Sequence, residues 1–198
     1  MVPVFELEIT LQHSKPRISR RIQIAADATF YELHYVLQFA MGWTNSHLHQ
    51  FIVGDREEYI CPPWEDIWED DEVTNSKELR LSERLSAPGD KIVYEYDFGE
   101  SWMHVIELIQ TLEPESKQKY PKVIAGAGAC PPEDCGGIGG YADLLEKLKK
   151  PRTKAYEELM EWLGEDFDPR DYDLAEVNKV YFKNFKKVMK AWDDYAVG

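Results

Sequence analysis

From Val4 to Leu11 the chain sets Phe5, Leu7, Ile9 and Leu11 on one side of an extended backbone and Glu6, Glu8 and Thr10 on the other. That two-residue period belongs to a strand with one buried face, so the chain must supply both a sheet and a cover for one side of it. A second strand is predicted over residues 18–24, after a Lys-Pro turn. Thr29 and Glu32 stand at capping-box spacing ahead of Leu33, Leu37, Ala40 and Met41, and Gly42 is placed to stop that helix. Residues 49–53 and 56–60 flank Gly54-Asp55 as a hairpin. Strand, strand, helix, strand, strand is the order of a β-grasp half-domain, and it fits other α+β folds as well.

Beyond residue 60 the pattern changes. Residues 61–78 lose periodicity and carry Glu65, Asp66, Glu69, Asp70, Asp71 and Glu72 between Trp64 and Trp68, which predicts an exposed acidic insertion loop. A short helix over 81–85 and a Pro88-Gly89-Asp90 turn lead into two strands, 92–97 and 103–111, joined by Phe98-Gly99-Glu100-Ser101. Three helical patterns close the chain: 141–149, 154–163 ended by Gly164, and 174–193. In the last, Val177, Tyr181, Phe185, Val188 and Trp192 form an apolar stripe, and the lysines take the wet side. The expectation is one α+β domain over 1–198. It has a mixed or antiparallel sheet, a β-grasp-like N-terminal half, a helical C-terminal part, and a helical extension over about 181–198.

Composition narrows the setting. A hydrophobic content of 43% in 198 residues suffices for a core without metal or disulfide staples. No stretch reaches the eighteen apolar residues of a membrane span, and three cysteines fit a reducing compartment, so a cytoplasmic protein with no membrane partner is expected. A net charge of -14 opposes a phosphodiester backbone. The basic groups Lys15, Arg17, Arg20, Arg21 and Lys179, Lys183, Lys186, Lys187, Lys190 lack interleaved aromatics, so nucleic acid is not the expected partner. A small molecule, an ion or a protein is.

Residues with chemical potential fall in three segments: 45–50, 97–104 and the loop CPPEDCGGIGGY at 130–141. His47 and His49 share a face if both are extended. With His104, Cys130 and Cys135 they make five soft or borderline donors, the candidate metal set, although four residues between the cysteines is long for a zinc knuckle. Asp97, Glu133 and Asp134 are the oxygen donors of a metal-assisted reading, with His49 or His104 as general base, so the catalytic candidates are His49, Asp97 and His104. Trp102, Glu133, Asp134, Gly136 and Gly137 are the candidate ligand-binding residues. A divalent metal is the cofactor this chemistry would use. Glu133 and Asp134 oppose a thiolate at Cys135, whereas the following helix N-terminus favours one. The glycine run offers backbone N–H groups to an anion, or close packing of loop on sheet. Asp97-Phe98-Gly99 lacks every companion motif of a protein kinase.

Several separated motifs occur in a recognisable order: Arg20-Arg21-Ile22-Gln23-Ile24, Met41-Gly42-Trp43, His47-Leu48-His49-Gln50-Phe51, Tyr94-Glu95-Tyr96-Asp97-Phe98-Gly99, Trp102-x-His104, Cys130-Pro131-Pro132-Glu133-Asp134-Cys135-Gly136-Gly137 and Trp162-Leu163-Gly164-x-x-Phe167-Asp168-Pro169. In this the chain resembles the plasmid pRiA ORF-three-like family over roughly residues 3–180. The resemblance implies an association with plasmids and transposons in a bacterial or archaeal host, and no reaction. Three functions remain in view: a soluble ligand- or ion-binding module, a metal-assisted hydrolase or phosphoryl-transfer enzyme, and a protein-interaction module of a mobile element.

Overall fold

The computed structural model describes residues 1–54, 58–62, 73–164 and 167–196. The chain folds as an α+β domain whose eight strands are β1 (Val4–Leu11), β2 (Ser19–Ala25), β3 (His49–Val53), β4 (Glu58–Cys61), β5 (Val73–Asn75), β6 (Lys91–Tyr96), β7 (Trp102–Leu112) and β8 (Lys122–Ala127). They form one mixed sheet in the order β5-β4-β3-β6-β7-β1-β2-β8, in which β4 and β5 run parallel and every other neighbouring pair is antiparallel. The strand, strand, helix, strand, strand order is present, and the two hairpins lie on opposite sides of the β6–β7 pair.

The alternation of β1 is realised residue by residue. Phe5, Leu7, Ile9 and Leu11 are buried in the core, while Glu6, Glu8 and Thr10 bond to Gln23, Arg21 and Arg17 across the other face. Arg20 of β2 points inward and is buried. Its guanidinium donates to the carbonyls of Ala40, Ser19 and Ala127 and lies 3.7 Å over the Tyr172 ring. Of the basic group at 15–21, Arg20 thus enters the core while Arg17 and Arg21 pair with acids of the sheet.

Helix α1 (Phe30–Met41) begins at the capping box read from sequence, with Glu32 N–H donating to Thr29 and Thr29 N–H donating to Glu32, and it stops at left-handed Gly42. It is buried nearly all round, as befits a helix packed on two sides. The sheet lies on one side. On the other, Phe39 meets Tyr181, Phe182, Phe185 and Trp192 with ring centroids 4.8–6.3 Å apart. The C-terminal segment is thus a layer of the core, with Phe182 and Phe185 buried and Lys183, Lys186, Lys187 and Lys190 on its wet side.

That segment is not one helix. α3 (Lys154–Leu163) follows the sequence pattern, α2 (Gly137–Leu148) starts four residues ahead of the predicted 141 and takes Gly137, Gly139 and Gly140 into its first turn, and the last pattern divides into α4 (Leu174–Val177), a π-turn over Asn178–Phe182, and α5 (Phe185–Ala196). The Asn178 side chain bonds out of the helix at that division. It accepts from the N–H of Val123 and donates to the carbonyl of Val123, so a helix side chain closes the free edge of β8. Residues 61–78 are also not all loop: Cys61 is buried in β4, and Val73–Asn75 form β5, which pairs with β4 before a turn over 76–78. Trp64, Trp68 and the acidic run lie outside the described residues, as does Asp55 of the predicted hairpin turn. Among the described residues no helix is long and apolar enough to cross a membrane.

Tyr31 and Tyr35 of α1 both donate to the carboxylate of Asp193 in α5, and burial, reinforced by this bond, pushes the Tyr31 phenol up to about 12. Removing a charged acceptor from two part-buried donors costs about 2 kcal/mol. Asp193→Ala is expected to lower the urea midpoint accordingly with little change in slope, whereas an unaltered midpoint would mean that α5 does not anchor α1.

Candidate functional site

Three segments meet at one end of the sheet: 43–48 after α1, 97–102 between β6 and β7, and the loop 130–137 before α2. Side-chain bonds pin the loop in place. Glu133 accepts from the Tyr96 hydroxyl at 2.7 Å, the Thr44 N–H at 3.0 Å and the Thr44 hydroxyl. Glu100 accepts from the Gly136 N–H and from the Trp102 indole. The Trp43 indole donates to the carbonyl of Pro131. Glu133 is therefore occupied as a clasp.

Within this frame His47, Asp97 and Asp134 converge, and their donor atoms all lie within 4.8 Å of one another. His47 Nε2 is 3.5 Å from Asp134 Oδ1 and 3.8 Å from Asp97 Oδ2. Those separations exceed a hydrogen bond. Nε2 is itself buried and makes no hydrogen bond among the described residues. The other oxygen of Asp97 is committed to its own turn, accepting from the N–H of Gly99 at 2.9 Å. Asp97 and Asp134 both adopt left-handed backbone, each with φ near +58°, a conformation that Asx residues tolerate; the Asp97 side chain is buried and that of Asp134 is exposed. Asn45, with the same φ, holds the approach to His47 by accepting from His34 Nε2.

The remaining candidates sit elsewhere. β3 starts at His49, so His47 precedes the strand and the alternation that would have paired the two does not reach it. His49 is buried and stacks on His34, with centroids 3.4 Å apart and planes at 7°. His104 is buried, with Nδ1 donating to the Trp102 carbonyl at 2.9 Å. Burial holds its pKa down to about 4, and it holds His49 well below the usual imidazole value, so both are neutral core groups. Trp102 is buried against Trp43. Burial lifts the Cys135 thiol to about 12, with Glu100 and Asp134 adding to it, and lifts Cys130 well above the ordinary range. Among the described residues, none of His49, His104, Cys130 and Cys135 belongs to a group of three donors within ligating reach.

Gly136 and Gly137 serve packing. Gly136 caps α2 with φ near +94°, and a Cβ on Gly137 would stand 2.7 Å from the carbonyl oxygen of Glu100. Sequence reasoning set Asp97 and Asp134 together as oxygen donors but assigned His47 to a different, His and Cys donor set, and it missed Thr44, Tyr96 and Glu100, which hold the loop. The acid-rich loop with glycines after it was the one available signal.

The chain matches the family model described as plasmid pRiA4b ORF-3-like protein over residues 3–176. It is 36% identical over 193 residues to the uncharacterised protein y4hQ of Sinorhizobium fredii (strain NBRC 101917 / NGR234), an alignment covering 98% of this chain and 92% of that one. The crystal structure of a protein of unknown function, MM3350 from Methanosarcina mazei Go1, superposes with a TM-score of 0.80 at 33% identity, covering 89% of this chain and 98% of that one.

Proposed function

The chain belongs to the plasmid pRiA4b ORF-3-like protein family, and from the geometry of its loop cluster we propose that it binds a divalent transition-metal ion through His47, Asp97 and Asp134. The observation that carries this reading is His47 Nε2, a buried nitrogen without a hydrogen bond that faces two carboxylates. Two donors each about 2.1 Å from one ion lie at most about 4.2 Å apart. The 3.5 and 3.8 Å separations fall inside that limit, and the exposed Asp134 side chain is free to close the third. One imidazole with two carboxylates favours Zn²⁺, Mn²⁺ or Fe²⁺ over Mg²⁺ and Ca²⁺, which prefer oxygen alone.

Three protein donors leave coordination positions open, as catalytic centres do and closed structural sites do not. Asp134 lies at the solvent edge, so a bound ion would face outward, where it could polarise a substrate oxygen or activate water. This supports metal-assisted hydrolysis as a second reading.

Calorimetric titration of the chelator-treated protein with Mn²⁺ and Zn²⁺ is expected to show one ion per chain. Asp97→Asn keeps the turn acceptor and the tolerated backbone while removing the charge, so the fold should survive. His47→Ala and Asp97→Asn should each weaken binding by more than the roughly tenfold that follows loss of a mere outer-sphere partner. Unchanged affinity in both variants, or no stoichiometric binding to the parent protein, would remove the proposal.

A further inference from the structure

A cleft of about 280 Å³ runs between α2 and α3, with Asp134 and Cys135 at one end, Leu144 and Lys147 on α2, and Leu159 and Trp162 on α3. It begins where the His47 cluster ends, since Asp134 belongs to both. Trp162 is 52% exposed, and Phe98, directly after Asp97, is 38% exposed. These are the exposed large aromatic side chains among the described residues, and Trp162 lines the same cleft as Asp134. Lys147 adds a charge. The neighbouring lysines Lys149 and Lys154 pair with Glu146 and Glu158, whereas Lys147 makes no ion pair among the described residues.

We propose that this cleft binds a small molecule made of one planar aromatic ring system and one oxyanion, with the ring on Trp162 and the oxyanion between Lys147 and the ion held at His47, Asp97 and Asp134. The inference deepens the metal reading and rests on it for the second contact of the oxyanion. A wet indole gives a ring a stacking face, and Leu144 and Leu159 supply apolar walls. The net charge of -14 would repel a free anion, so recognition needs the two local cations. The volume falls just under the usual range of ligand pockets, about 300 to 1,000 Å³, and suits a small ligand better than a dinucleotide or a peptide. A carboxylate and a phosphate monoester share the required chemistry.

Adenosine monophosphate and indole-3-carboxylate are the probes that separate those two sources, titrated by calorimetry into Mn²⁺-loaded protein, with adenosine, indole and inorganic phosphate as the ring-only and anion-only controls. At least one probe is expected to bind more tightly than its controls. Trp162→Ala and Lys147→Gln, both surface changes, should each weaken it at least about fivefold. Failure of both probes to outbind the controls, or affinity unaffected by Trp162→Ala, overturns the cleft proposal while the ion titration leaves the metal reading standing. If the ion titration fails instead, the same probes are applied to metal-free protein. Binding there that still depends on Trp162 and Lys147 upholds the cleft, and its absence ends it.

Discussion

Gly140→Ala is expected to destabilise the protein by more than about 3 kcal/mol, while Gly139→Ala one residue away should be neutral or stabilise it by up to about 1 kcal/mol. A Cβ on Gly140 would stand 1.8 Å from the carbonyl oxygen of Cys135 and 2.7 Å from its carbonyl carbon. Both atoms are backbone, so no rotamer change relieves the overlap, and the loop 130–137 must move away from the first turn of α2. Gly139 meets nothing within 4 Å, and there the better helix propensity of alanine acts alone. Moving the Cys135 carbonyl also displaces Asp134, so the Gly140 variant should lose ion affinity together with stability. Urea unfolding of the two variants against the parent protein checks the pair. A Gly140→Ala protein as stable as its parent would show that the loop does not pack on α2 as described.

The glycines illustrate what the sequence can and cannot express. A Gly-Gly run before a helix is compatible with an anion cradle or a close contact, and only the position of the Cys135 carbonyl decides between them. Local signals were legible: β1 from its alternation, α1 from its capping box and Gly42, α3 from its helical pattern and Gly164. β8 was not, because Lys-Val-Ile-Ala-Gly-Ala has little pattern and its free edge is closed by Asn178, 55 residues away. The break between α4 and α5 was hidden for a related reason. The apolar stripe from Val177 to Trp192 survives a π-turn, and the Asn178 bonds that accompany the break are long-range. The candidate site behaves in the same way. His47, Asp97 and Asp134 are each conspicuous, but their grouping depends on three loops that meet only when the sheet is assembled.

Acid should unfold this protein cooperatively between about pH 5 and 4, with an uptake approaching three protons. His34, His49 and His104 are fully buried and neutral. Burial, only partly offset by the bond to Asn45, holds His34 down to about 3, and burial likewise holds His104 down to about 4. His49 is held well below the ordinary value by burial and by the imidazole of His34, 3.4 Å away. Each folded-state value lies below the unfolded value of about 6.5, so below that pH the unfolded chain binds protons that the native chain refuses. The stabilisation is complete above about pH 6.5 and declines as the pH falls toward 4 and 3. Near pH 5 each histidine has withdrawn roughly 2 kcal/mol, and three together withdraw about 6, comparable with the whole stability of a small domain. The slope there is about 4 kcal/mol per pH unit. His104→Gln should cut that slope by about a third whatever it does to stability at neutral pH, because it deletes one linked proton and leaves the stacked pair. Urea unfolding at pH 7, 6 and 5 measures the slope directly. One linked proton or fewer would mean that the stacked His34 and His49 rings already share a proton with solvent in the native state, and the neutral-core description of β3 and α1 would fall with it.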